Sequence, residues 1–446
     1  MLSIYGKKQK FCDGVSRRSF LKIGGFALGS LGGVPLADIL QAQDSSGNRS
    51  SHKGLINIFL GGGPPHQDMW EIKTEAPVEI RGEFKPISTK VPDIQIGECF
   101  PKIAAMMDKF VAIRSVTGCA GGHDAYQCLT GWNRGSFSSI GGMPSIGSAV
   151  AKVKGSVDSS IPATVGLAAK TKHAPWSESG QAGFLGDAYQ PFKPNGKMMA
   201  DLKLNGITLD RLADRKSLLN SLGNLKRDFE NVRNMNSFSQ EAFGVLTSSR
   251  LVDALDLSKE DPKIVKKYGD GKPYQYQYDG APTCNDHLLM ARRLIEAGVR
   301  SVSLSYGRWD SHGKNFDLVR DHGAKLDQCL TALVEDLQER GMLDDVTVIV
   351  WGEFGRTPKI NKGAGRDHWP QVSCALMAGG GMKTGQAIGA TNRLGEFATK
   401  RPVSVQEIIA TLYHNLGVDP MSTTLVDPTG RPQYLLDHRK PLPELV

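Results

Sequence analysis

Several patterns that would assign a sequence to a common class are missing from this chain of 446 residues. No run of lysine and arginine is interleaved with aromatic residues, so nucleic-acid binding is not expected. The seven cysteines match no zinc-finger or CxxC spacing. They are therefore interpreted as buried thiols, although an oxidising compartment would permit one or two disulfides. No internal repeat stands out.

The charge and the length indicate an ordinary globular domain. The net charge is +8, but residues 1–42 hold six of the 54 basic and two of the 46 acidic residues, which leaves +4 for the remainder. That balance points to no charged macromolecular partner. A chain of this length buries a large core without disulfides, in one large α/β domain with insertions or in two domains.

Residues 16–22, SRRSFLK, precede a glycine-rich apolar run over residues 23–36. The segment resembles a twin-arginine export signal, and the run is short for a membrane span. We therefore expect residues 1–42 to be a signal peptide and residues 43–53 a polar linker. The mature protein would then lie in the periplasm or at the cell surface, without a stable membrane span. The alternative is a basic turn before a membrane helix.

The most informative stretch joins an apolar strand to charged side chains. Residues 346–350 form a β-branched run, which is typical of a parallel strand buried on both faces. In open α/β sheets the ligand crevice lies beyond the carboxyl ends of the strands. The residues that follow this strand and could serve such a site are Glu353, Arg356, Arg366, Asp367 and His368. We interpret them as half of a metal site, and the alternative is an ion-paired loop.

Three other predicted strands also end in carboxylates and imidazoles. Residues 54–60 lead through three glycines to His66 and Asp68, and residues 110–116 lead to His123 and Asp124. Residues 299–305 lead to Asp310 and His312, which lie two apart and would share a face of an extended segment. The alternatives are a loop hydrogen-bond pair at the first end and helix capping through Asp124 at the second.

Strands alternate with helical segments along the chain, which predicts an α/β fold with a mostly parallel central sheet. Helices are expected at residues 285–297, ended by Gly298, and at residues 316–340. Ser404 and Glu407 stand in capping-box register at the start of a last helix. We expect the domain to span residues 54–446, with a helical and irregular insertion at about residues 168–284.

Carboxylates and imidazoles together suit Zn²⁺, Mn²⁺ or Fe, and carboxylate-rich subsets also suit Ca²⁺ or Mg²⁺. Zn²⁺ is the first expectation, and the supply of ligands is enough for one or two divalent ions. Two ions can stabilise the attacking and leaving oxygens of a displacement reaction. The pattern therefore predicts hydrolysis of a phosphate or sulfate ester.

The motif order resembles a known family. The motifs are GGGPPHQD at residues 61–68, GGHDAYQCLTG at 121–131, GRWDSHGKNFD at 307–317, WGEFGRTP at 351–358 and GRDHW at 365–369. They are similar to those of a large family of exported bacterial proteins with a domain of unknown function. That family looks like a branch of the alkaline phosphatase and sulfatase superfamily.

The resemblance implies a three-layer sandwich with helices on both faces of the sheet. It also implies the superfamily's order of site residues, which falls here on Asp68, the segment near His123, Asp310 with His312, Glu353 and His368. The chain departs from the superfamily at the nucleophile, because His123 stands where a serine, threonine or cysteine is expected. Cys119 lacks the Cys-x-Pro-x-Arg surroundings of sulfatases, which leaves Thr117 as a fallback. Otherwise water attacks directly or the chemistry has been lost.

We therefore expect an exported metal-dependent hydrolase of small-molecule or glycan esters. The metal ligands would come from His66, Asp68, Asp310, His312, Glu353 and His368. His123 and Arg356 are the catalytic candidates, and Asp124, Arg366 and Asp367 are candidates for binding the anion or orienting the ligands. A non-catalytic exported binding protein with at most a structural metal is the alternative. A barrel-type amidohydrolase, suggested by the first His-x-Asp, is disfavoured by the long irregular middle.

Overall fold

A computed structural model of the protein describes residues 52–167, 171–194, 249–270 and 280–446. The export signal, the linker up to residue 51 and most of the predicted insertion lie outside these described residues. Their boundaries therefore stay predictions.

The strands are numbered in chain order. They are β1 Gly54–Phe59, β2 Pro86–Ser88, β3 Gln95–Gly97, β4 Phe110–Thr117, β5 Thr164–Gly166, β6 Ser301–Ser305, β7 Val346–Trp351, β8 Gly355–Arg356, β9 His368–Trp369, β10 Ser373–Gly379, β11 Gln386–Ile388, β12 Ala390–Thr391, β13 Ala398–Lys400, β14 Val403–Ser404, β15 Thr424–Val426 and β16 Pro432–Tyr434.

The α-helices are numbered in the same way. They are α1 His66–Met69, α2 Val78–Arg81, α3 Pro101–Ala105, α4 Tyr126–Thr130, α5 Ile146–Lys154, α6 Ser249–Leu255, α7 Pro262–Tyr268, α8 Asn285–Ala297, α9 Asn315–Glu339 and α10 Val405–Asn415.

Eight strands form the central sheet in the order β11-β4-β10-β7-β1-β6-β5, with β14 also joined to β4. β1 is parallel to β6 and β7, and β5 is parallel to β6. β4 is parallel to β11 and β14. β10 runs antiparallel to both of its neighbours, β4 and β7. The prediction of a mostly parallel sheet is therefore confirmed.

Helices cover both faces of this sheet because its strands are apolar on both sides. Along β7, Val346, Val348 and Val350 belong to one apolar cluster, whereas Ile349 and Trp351 belong to the other. α8 and α9 contribute their buried leucines to the first cluster, and α5 and α10 pack into the second. This alternation is expected of a strand, whose side chains point to opposite faces. The predicted three-layer α/β sandwich is confirmed.

Local sequence signals set several element boundaries. α8 ends before Gly298, which has a φ of +119°, a conformation that glycine adopts without strain. α10 begins with the predicted capping box, in which Ser404 Oγ accepts from the Glu407 N–H and Glu407 accepts from the Ser404 N–H. Such a cap contributes about 1 kcal/mol to helix stability. β6 ends at Ser305, the predicted last residue of that strand, so Asp310 and His312 lie beyond it in the loop that follows.

The topology brings distant loops to one edge of the sheet. The parallel strands β1, β4, β6 and β7 all end at this edge, and the reversed strand β10 begins there. The four predicted clusters therefore meet at a crevice beyond the strand ends. Within the described residues, no helix is both long and apolar enough to cross a membrane, and the six cysteines found there are all free.

Candidate metal centre

Four side chains from three separate segments converge at the crevice. His123 follows β4, Asp310 and His312 follow β6, and His368 begins β9. One ligand atom from each of the four lies within 4.8 Å of all the others. These residues are called the metal cluster below.

The spacing inside the metal cluster fits a small tetrahedral ion. Asp310 Oδ1 lies 3.1 Å from His312 Nε2, 3.3 Å from His368 Nε2 and 3.6 Å from His123 Nε2. His312 Nε2 and His368 Nε2 lie 3.0 Å apart. Ligand atoms about 2.0–2.1 Å from a tetrahedral ion are separated by about 3.3 Å. These four of the six distances bracket that value, and all six are within 4.8 Å, so the residues present fit a bound divalent metal.

Two carboxylates contact the Nδ1 atoms of two imidazoles and so direct the opposite Nε2 atoms toward the centre of the metal cluster. Glu353 Oε1 lies 3.1 Å from His123 Nδ1, and Asp367 Oδ1 lies 2.7 Å from His312 Nδ1. An ionised carboxylate only accepts hydrogen bonds, so each Nδ1 donates its hydrogen, and in an imidazole of that tautomer Nε2 keeps its lone pair. These two lone pairs and the Asp310 oxygen face one another, an arrangement that a cation stabilises.

The charge on Asp310 is secured by arginines. Arg356 Nη2 donates to Asp310 Oδ1 at 2.5 Å, and Arg308 Nη2 contacts Oδ2 at 3.2 Å. Burial opposes ionisation of Asp310, but the charge and hydrogen bond of Arg356 outweigh it and hold the carboxyl pKa below its ordinary value. Burial, followed by the charge of Arg356, lowers the pKa of His368 to about 4. His368 is therefore neutral at pH 7 and has a lone pair to share.

Glu353 was predicted to be a ligand, and the structure places it behind His123, outside the metal cluster. Its Oε1 also accepts from the Gly62 N–H at 2.8 Å. Gly62 has a φ of +105°, and a Cβ there would lie 2.4 Å from the backbone nitrogen of Asp310. Only glycine allows this close approach of the β1 loop to the β6 loop.

Arg356 was predicted to act on the substrate, yet its side chain is fully buried. Its Nε donates to the Gly63 carbonyl at 3.1 Å and its Nη1 to the Arg366 carbonyl at 3.0 Å. Its Nη2 donates to both the Gly62 carbonyl and Asp310. Because each nitrogen already donates to a protein acceptor, Arg356 orients Asp310 instead of contacting an anion.

Asp68 and Arg366 bind each other, although they were predicted to be a ligand and an anion binder. Arg366 Nε donates to Asp68 Oδ2 at 2.7 Å and Nη2 donates to Oδ1 at 2.9 Å. Asn315 Nδ2 donates to Asp68 at 2.7 Å. Both charged side chains are fully buried. This pair anchors the loop that carries Asp367 and His368, and it holds Asp68 outside the metal cluster.

His66 and Asp124 also lie outside the metal cluster. His66 Nε2 lies 3.1 Å from the Gly395 carbonyl, and burial, followed by the charges of Lys73 and Arg366, lowers the His66 pKa to about 3. Asp124 Oδ1 accepts from the Tyr126 N–H at 2.9 Å at the start of α4, and Oδ2 pairs with Arg134. Asp124 therefore bonds to the first residue of α4 from the position before the N-cap, which is Ala125.

The predicted nucleophile positions offer no activated side chain. Burial, with a contribution from the charge of Glu353, raises the pKa of the Cys119 thiol to about 12, so it stays protonated at neutral pH. Thr117 Oγ1 donates to the Val403 carbonyl at 3.4 Å. Neither position therefore supplies an activated nucleophile, which leaves the two alternatives of direct attack by water and lost chemistry.

Two residues of the site were not predicted. His173 Nε2 lies 3.3 Å from the His123 carbonyl, and the indole of Trp176 stands edge-on to the His123 ring with centroids 4.8 Å apart. Trp176 belongs to a short 3₁₀ helix, Ala174–Ser177, in the irregular middle of the chain. No periodic pattern marks that segment, and only a histidine and a tryptophan close together could have drawn attention to it.

The metal cluster is buried on one side and open on the other. The side chains of Glu353 and Asp310 are 1% and 9% exposed. The side chains of His312 and Asp367 are 48% and 52% exposed. A substrate can therefore approach from the side of His312 and Asp367.

Several solved structures are similar to parts of this chain at low sequence identity and low TM-score. They include PsFucS1 sulfatase from Pseudoalteromonas sp., with 12% identity over 86% of this chain and 70% of that chain and a TM-score of 0.36. The lipoteichoic acid synthase LtaP from Listeria monocytogenes has 10% identity over 85% and 78% of the two chains and a TM-score of 0.35. The phosphonate monoester hydrolase SpPMH from Silicibacter pomeroyi has 12% identity over 82% and 73% and a TM-score of 0.33.

No curated protein matches the sequence. The family model described as "Protein of unknown function (DUF1501)" matches residues 52–446, which confirms the family predicted from the motifs. The chain therefore belongs to the DUF1501 family.

Proposed function

We propose that the protein is a metal-dependent hydrolase of phosphate or sulfate esters. The observation that carries the proposal is the convergence of three imidazole nitrogens and one carboxylate oxygen, all within 4.8 Å of one another, with four of the six separations at 3.0–3.6 Å. The motif order, which resembles the alkaline phosphatase and sulfatase superfamily, supports the same reaction class.

The donor set favours a single Zn²⁺ or a similar transition-metal ion. Imidazole suits Zn²⁺ and its neighbours, whereas Ca²⁺ and Mg²⁺ prefer six or more oxygen ligands. A second ion in the same crevice would need further carboxylates. Asp68 is committed to Arg366, and Glu353 already accepts from Gly62 and contacts His123. We therefore infer one ion per chain.

The charge balance supports an anionic substrate. Three carboxylates, Asp310, Glu353 and Asp367, face two guanidiniums, Arg308 and Arg356. With neutral imidazoles this leaves one net negative charge, which would repel a phosphate or a sulfate. A divalent ion changes the balance to one net positive charge. Anion binding should therefore depend on the metal.

The protein residues in this proposal hold the reactants and limit the access of water. Bound metal would polarise an ester oxygen and make water more acidic. His312 and His368 present nitrogens at the open side, and the buried Arg356 keeps Asp310 ionised and fixed. Trp176 and Phe354 pack against the His123 ring, with centroids 4.8 and 5.2 Å away, and close the inner side.

Elemental analysis and substrate assays test the proposal together. We expect about one equivalent of transition metal per chain, with turnover of aryl phosphates or sulfates that a chelator abolishes and added Zn²⁺ restores. His312→Gln should lose both the metal and the activity. The matched control is His414→Gln, because His414 is an exposed histidine on α10, away from the crevice. Metal-independent turnover, or a metal retained in His312→Gln, would contradict the proposal.

A second function, binding without turnover, is favoured by one observation. The predicted nucleophile positions supply no activated group, because Thr117 Oγ1 donates to the Val403 carbonyl and the Cys119 thiol is held in its protonated form. A protein with one bound ion that turns over none of the esters but binds inorganic phosphate or sulfate would support this alternative.

We also propose export through the twin-arginine pathway. The proposal depends on residues 16–22 and the apolar run after them, which lie outside the described residues. A metal loaded in the cytoplasm before transport would be compatible with this route.

A further inference from the structure

Glu353 forms part of a continuous chain of contacts from the sheet to the metal cluster. It is 1% exposed, and its Oε1 accepts from the Gly62 N–H at 2.8 Å. The same oxygen lies 3.1 Å from His123 Nδ1. Its second oxygen, Oε2, is buried and makes no hydrogen bond within the part of the chain that the structure describes. A buried carboxylate with so few partners is costly, which indicates a specific role for it.

The ring of His123 is fixed by packing as well as by Glu353. Trp176, Phe354 and His368 surround it, with centroid distances of 4.8, 5.2 and 4.3 Å. An ionised Glu353 beside Nδ1 favours the tautomer with the hydrogen on that nitrogen, because a carboxylate only accepts hydrogen bonds. With the hydrogen on Nδ1, the lone pair of Nε2 faces Asp310 Oδ1, 3.6 Å away.

We propose that Glu353 is a positioning residue that acts on the bound metal through His123 and is not itself a ligand. The inference deepens the proposed function and depends on it. Without the carboxylate, His123 would be free to hold its hydrogen on Nε2, where it blocks coordination. Losing such a partner of a ligating histidine typically weakens metal binding 10- to 100-fold.

Gly62 links the Glu353–His123 pair to the Arg356–Asp310 pair. Its N–H donates to Glu353, and its carbonyl accepts from Arg356, which in turn donates to Asp310. One peptide segment at the end of β1 therefore contacts the partners of both His123 and Asp310. By contrast, the equivalent pair at the rim, Asp367 with His312, is about half exposed.

The test measures Zn²⁺ and Co²⁺ affinity in Glu353→Ala and Glu353→Gln by competition with a chelator. We expect Glu353→Ala to bind 10- to 100-fold more weakly than the wild type. The near-isosteric Glu353→Gln keeps an accepting oxygen, so it should lie between the two, and it carries the test if the alanine variant does not fold. At saturating Co²⁺, both variants should show the visible absorption spectrum of the wild type, because no ligand has been removed.

Asp327→Asn is the matched control. Asp327 is a buried carboxylate that accepts from the Lys102 and Ile103 N–H groups at the start of α3, away from the metal cluster. Its loss should lower stability and leave the affinity unchanged.

Three outcomes overturn the inference. A changed Co²⁺ spectrum in Glu353→Gln and Glu353→Ala would make Glu353 a ligand. If the Glu353 variants bound metal as tightly as Asp327→Asn does, Glu353 would contribute only to the stability of the fold. If the wild type bound no divalent ion, both the proposed function and this inference would fail. In the first two outcomes the wild type still binds metal, so only the inference fails.

Discussion

Replacing Asp68 and Asp367 one at a time separates the two roles that a carboxylate can have in this crevice. Asp68 is fully buried and makes a bidentate pair with Arg366, supported by Asn315. Asp367 is 52% exposed and contacts His312 Nδ1 at 2.7 Å. The two side chains are chemically identical, so a difference between their asparagine variants reports on location alone.

The structure predicts opposite effects for the two variants. Asp68→Asn leaves the Arg366 charge buried without its partner, which typically costs about 3–5 kcal/mol in the free energy of unfolding. Because whole domains are stable by only about 5–15 kcal/mol, this loss is severe. Asp367→Asn breaks an exposed pair, whose removal costs about 0–1 kcal/mol. Its metal affinity should instead fall about 10- to 100-fold, because His312 loses its partner.

Guanidinium unfolding at pH 7 with chelator present measures the first effect, and metal competition on the folded variants measures the second. The metal-free condition keeps the contribution of bound ion out of the stability comparison. An Asp68→Asn variant of wild-type stability that has lost its metal would refute the reasoning, since it would make Asp68 a ligand. An Asp367→Asn variant that loses several kcal/mol would refute it equally.

Three further predictions address other parts of the protein. Gly62→Ala should lose metal binding, measured by elemental analysis, because its Cβ would lie 2.4 Å from the Asp310 backbone nitrogen. Glu260, despite partial burial, has a pKa held below its ordinary value by arginines that include Arg292. Its ion pairs should therefore stabilise the fold above about pH 4.5 and lose this effect as the pH falls further, so unfolding curves of Glu260→Gln and wild type should converge in acid. The double substitution Arg17→Lys and Arg18→Lys should stop export, and cell fractionation measures where the protein accumulates.

Much of the fold could be predicted because it depends on local patterns. The run at residues 346–350 has apolar side chains on both faces, so its place inside a covered sheet follows from alternation alone. The ends of α8 and α10 follow from Gly298 and from the Ser404 capping box. The antiparallel orientation of β10 could not be predicted, because a short apolar run does not show in which direction its strand crosses the sheet.

The site could be predicted only in part, since it depends on which side chains face each other. Proximity to strand ends singled out His123, Asp310, His312 and His368, and the structure brings these four together. The sequence does not indicate that Glu353 contacts His123 Nδ1 and lies one contact away from the metal cluster.

Pairings across long separations are also hidden in the sequence. Asp68 and Arg366 are 298 positions apart, and nothing local indicates that each neutralises the other. Trp176 contacts His123 from an irregular segment, where periodicity gives no signal.

The contrast between the enclosed and the open side of the centre has a practical consequence. On the enclosed side, a side chain at position 62 would overlap Asp310, and Arg356 is bonded to the Gly62 carbonyl. Substitutions of these two residues should therefore prevent correct folding. At the mouth, His312 and Asp367 meet solvent over about half their surface. Diversification within the family, and any attempt to retarget the protein in the laboratory, should therefore begin with the neighbours of these two residues.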